Sequence, residues 1–408
     1  IFMGTTNGLN IGFYNETGEI NYGNFSSIDN MVEGSNPALT IKNSIIAVSG
    51  VESVETSVGP QPKGLGVSYS TNGGESWEFI SQPEDSLNQD YSLYIDKWGC
   101  PWSEDNILYL DEDACDNNCV DCLDDSKDCI MYNYISWGGQ DSIRNLSVTT
   151  EIQNVSYDLA ILENYIYAAS WAGSLRRFNY TDTNPNWEVV PLPMDNQNRL
   201  DCGDIDLSFY QINPTGNYIN SQTGEGCGND FDNHKVFSVY SVEDTLWVGT
   251  ASGINKGILN DDNCIDWERM TSEDYGFYDD WIIGFEHEVL EDGSIRLWAI
   301  TWDRRYDGSH QVYGGPPSYT EDGGKSWHII ENLADRQIIT YNISPHSSGV
   351  YVSSNEGLFM SENTILWEKI IQDEEYTILT EAVIDAELIE NFNHLWIASN
   401  PLEIKDLN

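Results

Sequence analysis

Short apolar runs alternate with polar turns along the whole chain, and one phrase recurs among them: two to four apolar residues, a few small ones, then a Gly and another apolar residue. It reads Ile1-Phe2-Met3-Gly4-Thr5-Thr6-Asn7-Gly8-Leu9, Ile166-Tyr167-Ala168-Ala169-Ser170-Trp171-Ala172-Gly173, Leu246-Trp247-Val248-Gly249-Thr250-Ala251-Ser252-Gly253-Ile254 and Val350-Tyr351-Val352-Ser353-Ser354-Asn355-Glu356-Gly357-Leu358. Runs this short, bounded by Gly, Asn and Ser, predict strands rather than helices. An alternating apolar segment precedes the later phrases across a short polar turn, as in Val236-Phe237-Ser238-Val239-Tyr240 and Ile338-Ile339-Thr340-Tyr341-Asn342-Ile343, which predicts hairpins. Downstream, Trp77, Trp187, Trp267, Trp327 and Trp367 each follow a turn rich in Asn, Asp, Gly or Thr.

Inner strand, second strand, third strand, turn and an outer strand that begins at an aromatic anchor is the order of a four-stranded blade. Its repetition predicts an all-β chain folded as a β-propeller. The clearest units run through about 37–83, 154–195, 234–272, 280–332 and 336–373, and 88–150 reads as a sixth, poorly patterned one. The strands of 1–25 lack an inner partner, and those of 383–399 lack a third and fourth. Pairing the N- and C-terminal strands would close the ring as a seventh blade, with six or eight as the alternatives. The expectation is one domain over 1–408, with an acidic Cys-rich insertion at about 100–129 and a loop insertion at about 195–233. Gly4, Ala169, Gly249, Ser353 and Ala398 suit the crowded inner part of such a ring, so they read as packing residues.

Two blade-ending turns carry a more specific pattern. Ser70-Thr71-Asn72-Gly73-Gly74-Glu75-Ser76-Trp77 and Thr320-Glu321-Asp322-Gly323-Gly324-Lys325-Ser326-Trp327 resemble the Asp-box, or BNR repeat, with Asn72 standing where the family usually has Asp. Ser361–Trp367 and Tyr180–Trp187 look like decayed copies. The acid or amide can cap backbone N–H groups, Gly supplies positive φ, and Trp packs between blades. With the intervening phrases, the chain resembles sialidase-like and two-component-regulator-type propellers. It also resembles secreted bacterial propeller proteins exported by type IX secretion, which implies a larger multidomain chain. Asp-boxes support blades in sialidases, receptors and assembly factors alike, so the resemblance implies a scaffold and leaves the chemistry open.

Lys and Arg number 18 against 67 Asp and Glu, a formal charge of −49. Such a field repels nucleic acid and anionic membrane surfaces, and no stretch is long and apolar enough for membrane insertion. The 14 Trp, 23 Tyr and 12 Phe exceed what a disordered acidic chain carries, so the acidity reads as a solvated surface. Cys100, Cys115, Cys119, Cys122, Cys129, Cys202, Cys227 and Cys264 predict disulfides and an oxidising compartment: secreted, at the cell surface, or periplasmic. Cys202 with Cys227 would close a loop on one face, with Cys264 as a competing partner, and the sequence leaves the connectivity open.

Candidate chemistry concentrates in two places. Asp111, Asp113, Asp116, Asn118, Asp121 and Asp124 crowd the first insertion with the hard oxygen ligands that suit a structural Ca²⁺, although EF-hand spacing is not met. A disulfide-stapled acidic loop is the plainer reading, and no cofactor is required. Cys115, Cys119 and Cys122 match a radical-enzyme iron–sulfur spacing out of its context, and no second pair completes a zinc ribbon. Trp171, Trp302, Asp303, Arg304 and Arg305 follow second strands, and Trp137 is placed to join them; together they could form an aromatic and charged rim for a sugar or a peptide. Packing between blades is the competing role of each Trp. The resemblance to sialidases implies an arginine cluster and an Arg-Ile-Pro phrase near the start. No Arg precedes Arg144 and the phrase does not occur. The favoured reading is therefore a secreted or cell-surface binding or structural module for a protein or glycan ligand, without catalysis. A glycoside hydrolase of sialidase-like architecture and a periplasmic sensor or assembly-factor propeller are the alternatives.

Overall fold

The computed structural model describes residues 2–15, 19–25, 28–56, 59–82, 154–171, 173–193, 195, 197–202, 232–261, 263–303, 313–334 and 338–370, together with the backbone of strands within 121–145 and 383–399. The chain divides into two compact units, Ile1–Arg269 and Met270–Asn408. Both are built of antiparallel sheets in which, apart from the added strand Arg199–Leu200, strands follow one another in chain order.

In the first unit, blade 1 comprises Phe2–Thr5, Gly8–Tyr14 and Ile20–Asn24. Blade 2 comprises Leu39–Lys42, Ile45–Thr56, Gly59–Ser70 and Glu78–Ser81, and blade 3 comprises Ser156–Leu162, Tyr165–Ser170, Ser174–Asn179 and Glu188–Val189. Blade 4 runs Val236–Val242, Thr245–Thr250, Gly253–Leu259 and Ile265–Met270, with Arg199–Leu200 added outside the last. In the second unit, blade 5 comprises Trp281–Val289, Ile295–Asp303, Ser318–Thr320 and His328–Ile329, with Tyr313–Gly314 also on the second strand. Blade 6 comprises Thr340–His346, Gly349–Ser354, Gly357–Ser361 and Glu368–Lys369.

The fold is an all-β β-propeller with six blades of three or more strands among the described residues, not the seven expected. The difference arises at 88–150. The inner strand of blade 3 lies directly against blade 2. Ala38, Ala47, Val67 and Tyr69 share one core with Leu159, Ile161, Ile166, Ala168 and Phe178, and the Ser49 hydroxyl donates to the Ser156 carbonyl at 2.8 Å. Among the described residues, blades 2 and 3 thus pack directly on one another. Among the described residues, the segment expected to be a blade contributes two hairpins, Asp121–Leu123 with Asp128–Ile130 and Asn133–Trp137 with Gln140–Asn145. Its two ends meet, because Gln82 Nε2 donates to Asn154 Oδ1 and to Ser156 Oγ, both at 3.2 Å. At the termini, Phe2–Asn24 forms a sheet of its own, and Val383–Ile389 pairs with His394–Ser399.

In blades 3, 4 and 6 the recurrent phrase supplies the second strand and is buried along its length: Tyr165–Ser170 at every position, Thr245–Thr250 and Gly349–Ser354 at all but the first. Its copy at Phe2–Thr5 is the first strand of blade 1 and is partly exposed. A strand apolar on both faces is stable only when both faces are covered, and within each unit apolar side chains of neighbouring blades share a core, as between blades 2 and 3 and between blades 5 and 6. The blade-ending Trp residues fill the gaps. Trp77 packs with Leu9, Val32, Ile46 and Val48 between blades 1 and 2, and Trp367 packs with Trp298 and Ile343 between blades 5 and 6.

The turns before these Trp residues share one hydrogen-bond pattern. Asn72 Oδ1 accepts the Ser76 N–H at 3.0 Å, Asp322 Oδ1 accepts the Ser326 N–H at 3.0 Å, and Asn363 Oδ1 accepts the N–H groups of Ile365 and Leu366. Ser70 and Thr320 accept from Gly74 and Gly324, glycines whose φ of +92° and +94° disfavours other residues. Burial works against ionisation of Asp322, but the Ser326 hydroxyl and N–H, the Thr320 hydroxyl and the Lys325 N–H hold its carboxyl down to about 2.

Of the two partners that the sequence left open for Cys202, the structure takes Cys264, with Cα atoms 6.0 Å apart and a sequence separation of 62. Pairing of Arg199 and Leu200 with Glu268 and Trp267 brings Cys202 beside the strand that Cys264 precedes. By chain entropy a loop of this length contributes about 4 kcal/mol. The positions of Cys100, Cys115, Cys119 and Cys227 lie outside the described residues, as do the side chains of Cys122 and Cys129.

Replacing 84–152 by a short Gly/Ser linker is expected to leave the β-sheet circular dichroism and a cooperative unfolding transition in place, whereas loss of folding would show the segment to be a blade. Asp322→Ala is expected to cost about 1 kcal/mol in chemical denaturation, comparable to loss of a capping side chain. Asp322→Asn should recover most of that, since Asn72 makes the same bond. Because the folded value of Asp322 is depressed, its contribution is present above about pH 4 and fades as pH falls toward 2.

Candidate binding surface

Most inner strands begin with an irregularity. Register against the second strand shifts between Ser156 and Asp158, Val236 and Ser238, Ile282 and Gly284, and Thr340 and Asn342. One extra residue is accommodated each time: Tyr157, Phe237, Ile283 and Tyr341. A β-bulge re-aims the side chain it carries, and at two of these positions the result is a contact with the end of the preceding second strand. In the first unit, Phe237 packs on Trp171 with ring centroids 4.6 Å apart and ring planes tilted by 36°. In the second, Tyr341 packs edge-on against Trp302 at 6.5 Å, and Trp302 Nε1 donates to the Thr340 carbonyl at 2.9 Å. Trp171 and Trp302 are therefore equivalent latches between successive blades, each half-buried.

Around Trp171 the first unit gathers a polar network. Lys235 lies over the Trp171 ring at 5.8 Å and forms an ion pair with Asp232. Asp195 accepts the N–H groups of Asp232 and Asn233 at 3.0 and 2.7 Å, and Arg269 donates to the Asp195 carbonyl at 2.7 Å. Burial pushes the Asp195 carboxyl up to about 6 despite those N–H bonds, and burial lowers His234 to about 4. Asn233 and Asn255 exchange side-chain hydrogen bonds of 2.8 Å, and Thr250 donates to Asn233. These bonds pin the place where the second insertion returns to the blade. The Cys202–Cys264 disulfide and the Cys202 N–H on Asp266 pin the place where it leaves.

The second unit presents a different chemistry at the corresponding edge. Trp281 at the start of the inner strand of blade 5 faces Trp302 at the end of the second, and Tyr341 adds a third aromatic ring. Asp279 and Asp280 precede Trp281, and Asp303 follows Trp302. Burial, with the charges of Asp303 and Asp280 close by, pushes the Asp279 carboxyl up to about 6. Asp280 is committed to structure, since its Oδ1 accepts the Ser272 N–H at 2.6 Å. Two carboxylates beside three half-buried rings can accept hydrogen bonds from a polyol or attract a cation while the rings take an apolar face.

Of the residues singled out by sequence, Trp302 and Asp303 stand together here, and Trp171 occupies the equivalent place in the first unit. Arg304 and Arg305 lie outside the described residues, as do Asp111, Asp113, Asp116, Asn118 and Asp124. Trp137 ends the strand Asn133–Trp137 and Asp121 begins Asp121–Leu123, with their side chains outside the described set. Among the described residues, no group of three or more His, Cys, Asp or Glu side chains could hold a metal ion, and no helix is long and apolar enough to cross a membrane. Sequence reading passed over Asp279 and Trp281. Their only local signal is an Asp pair directly before an aromatic residue at a strand start.

Comparison with solved structures finds similar backbones at low identity. YCF48 bound to a D1 peptide is 11% identical with a TM-score of 0.42, covering 97% of this chain and 85% of that one. The Cps50 (Swd1) β-propeller domain of Myceliophteria thermophila is 11% identical with a TM-score of 0.45, covering 98% and 92%. The extracellular domain of a putative hybrid two-component system from B. thetaiotaomicron is 11% identical with a TM-score of 0.37, and this chain covers 37% of its length. No protein-family profile and no curated protein matches the sequence.

The folded value of Asp279 lies above the roughly 3.9 of an unfolded Asp, so charging it opposes folding. That penalty is absent below about pH 4, grows through pH 4–6 and is complete above. Asp279→Asn is expected to stabilise the chain at pH 8, by on the order of 1 kcal/mol after solvent screening, and to give no gain at pH 4. Paired denaturation curves at the two pH values check this.

Proposed function

We propose that the chain is a secreted or cell-surface β-propeller that binds a glycan or protein ligand without turning it over. The observation behind this reading is the acid and aromatic edge of blade 5, where Trp281, Trp302 and Tyr341 stand beside Asp279 and Asp303. Rings of this kind stack on sugar faces or on peptide side chains, and the carboxylates accept from hydroxyl or amide donors. Arg304 and Arg305 follow directly in sequence and would extend the edge with positive charge. The Cys202–Cys264 disulfide supports an oxidising compartment, outside the cell or in the periplasm. The blade-ending turns support the kinship with Asp-box propellers, and Asp111, Asp113, Asp116, Asn118, Asp121 and Asp124 remain the proposed seat of a structural Ca²⁺.

Asp279 favours one second reading. A carboxyl that keeps its proton to about pH 6, next to a second carboxylate, is the arrangement glycoside hydrolases use for their acid.

One experiment separates the two: glycan-array binding and turnover of a chromogenic glycoside panel, on the parent and on Trp281→Ala and Asp279→Asn. Binding lost in Trp281→Ala, with no turnover by either protein, is the expected result. Turnover that peaks near pH 6 and disappears in Asp279→Asn would replace the binding module with a hydrolase.

A further inference from the structure

Blade 2 contains a hairpin longer than its neighbours can cover. Its second and third strands, Ile45–Thr56 and Gly59–Ser70, pair along their full length. The inner strand reaches only Ile45–Val48, and the outer strand only Gly66–Tyr69. Beyond them, Val51–Thr56 and Gly59–Gly64 project as a two-stranded arm, with Glu52, Ser53, Glu55 and Pro60 exposed.

The direction of each backbone group on this arm follows from one bridge. Val51 exchanges N–H and carbonyl bonds of 2.8 and 2.9 Å with Ser35, so its polar groups point away from the partner strand. Strand groups alternate, and no register shift occurs between Val51 and Thr56, so Ser53 and Glu55 also present N–H and C=O outward. On the opposite strand, the outward positions are those paired with Ser53 and Glu55, namely Pro62 and Pro60. Proline has no N–H, so that edge lacks the donors a further strand needs. One edge of the arm is closed by two prolines and the other is open. Among the described residues, Ser35 is the last to pair along the open edge.

We propose that the open edge, Val51–Glu55, is a docking site for an extended, basic segment of a partner protein, which adds as a strand continuing the ladder that Ser35 begins. Charge selects the occupant. Glu52 and Glu55 project to opposite faces of the edge, on a chain of net charge −49, so lysine or arginine on the incoming strand is favoured. A second copy of this chain would bring two edges that both carry Glu52 and Glu55, on chains of net charge −49, against one another, and like charges close together destabilise a sheet. This surface is distinct from the blade 5 edge, and its test is independent of any ligand bound there.

The probe is a fluorescein-labelled peptide of alternating lysine and threonine, with two comparators: its glutamate counterpart, and a version N-methylated at alternate backbone nitrogens. Anisotropy is measured with the full chain, with Ser53→Pro, and with Glu52→Lys/Glu55→Lys. Ser53→Pro deletes one outward N–H and leaves the bonds to the opposite strand, which amide exchange at Glu52 and Val54 verifies. The lysine peptide is expected to bind the parent and to lose about tenfold in affinity, or about 1.4 kcal/mol, with Ser53→Pro or on N-methylation. Charge reversal is expected to switch the preference to the glutamate peptide. Binding that survives both Ser53→Pro and N-methylation would show only general attraction to an acidic surface and overturn the proposal, as would absence of binding to the parent.

Discussion

The constraint on which this structure depends is the coverage of strands that are apolar on both faces. Tyr165–Ser170 is buried throughout, and the corresponding strands of blades 4 and 6 are buried at all but their first residue. Neither face of such a sheet tolerates water, so apolar side chains of neighbouring elements must pack against both. At about 25 cal/mol per Å² of apolar area, exposing even one buried Leu or Phe costs about 1.5–3 kcal/mol, which a marginally stable domain cannot offset repeatedly. The small residues of the phrase then follow from crowding, and the blade-ending Trp residues from the wider gap toward the outside.

The bulges and latches solve a second problem created by this stacking. Adjacent blades need orientation as well as contact, and a strand of regular alternation aims its side chains only at its own two faces. An extra residue at Phe237 or Tyr341 turns an aromatic ring toward Trp171 or Trp302 of the preceding blade. The same edge collects the polar groups left where strands end. In the first unit those groups bond one another, around Asp195, Asn233 and Arg269. In the second, Asp279 and Asp303 remain close together with mutually unfavourable charge. A destabilising pair beside half-buried rings is the kind of local cost found at functional sites.

Long insertions are tolerated because the blades close beneath them. Gln82 reaches Asn154 and Ser156, so the ladder of contacts between blades 2 and 3 is continuous whatever chain loops out between them. The second insertion is bracketed in the same way by Cys202 and by the Asp195 clasp on Asp232 and Asn233. Loop-closure cost rises only slowly with length, so segments of this size burden the scaffold little once their ends are fixed.

What the sequence determined by itself was local: the apolar phrases that become the second strands of blades 3, 4 and 6, the turns that precede Trp77, Trp327 and Trp367, and a net charge of −49 whose field repels other polyanions. Each depends on residues within a few positions of one another, where periodicity and turn chemistry act directly. Blade number was not of this kind, because whether 88–150 forms a blade depends on whether blade 2 touches blade 3, a contact between residues far apart in the chain. The partner of Cys202 was decided in the same way, by strand pairing that carries it to Cys264. Trp302 and Asp303 were legible because they end an obvious strand. Asp279 and Trp281 join them only because antiparallel pairing sets Trp281 opposite Trp302, and tertiary structure alone creates that juxtaposition.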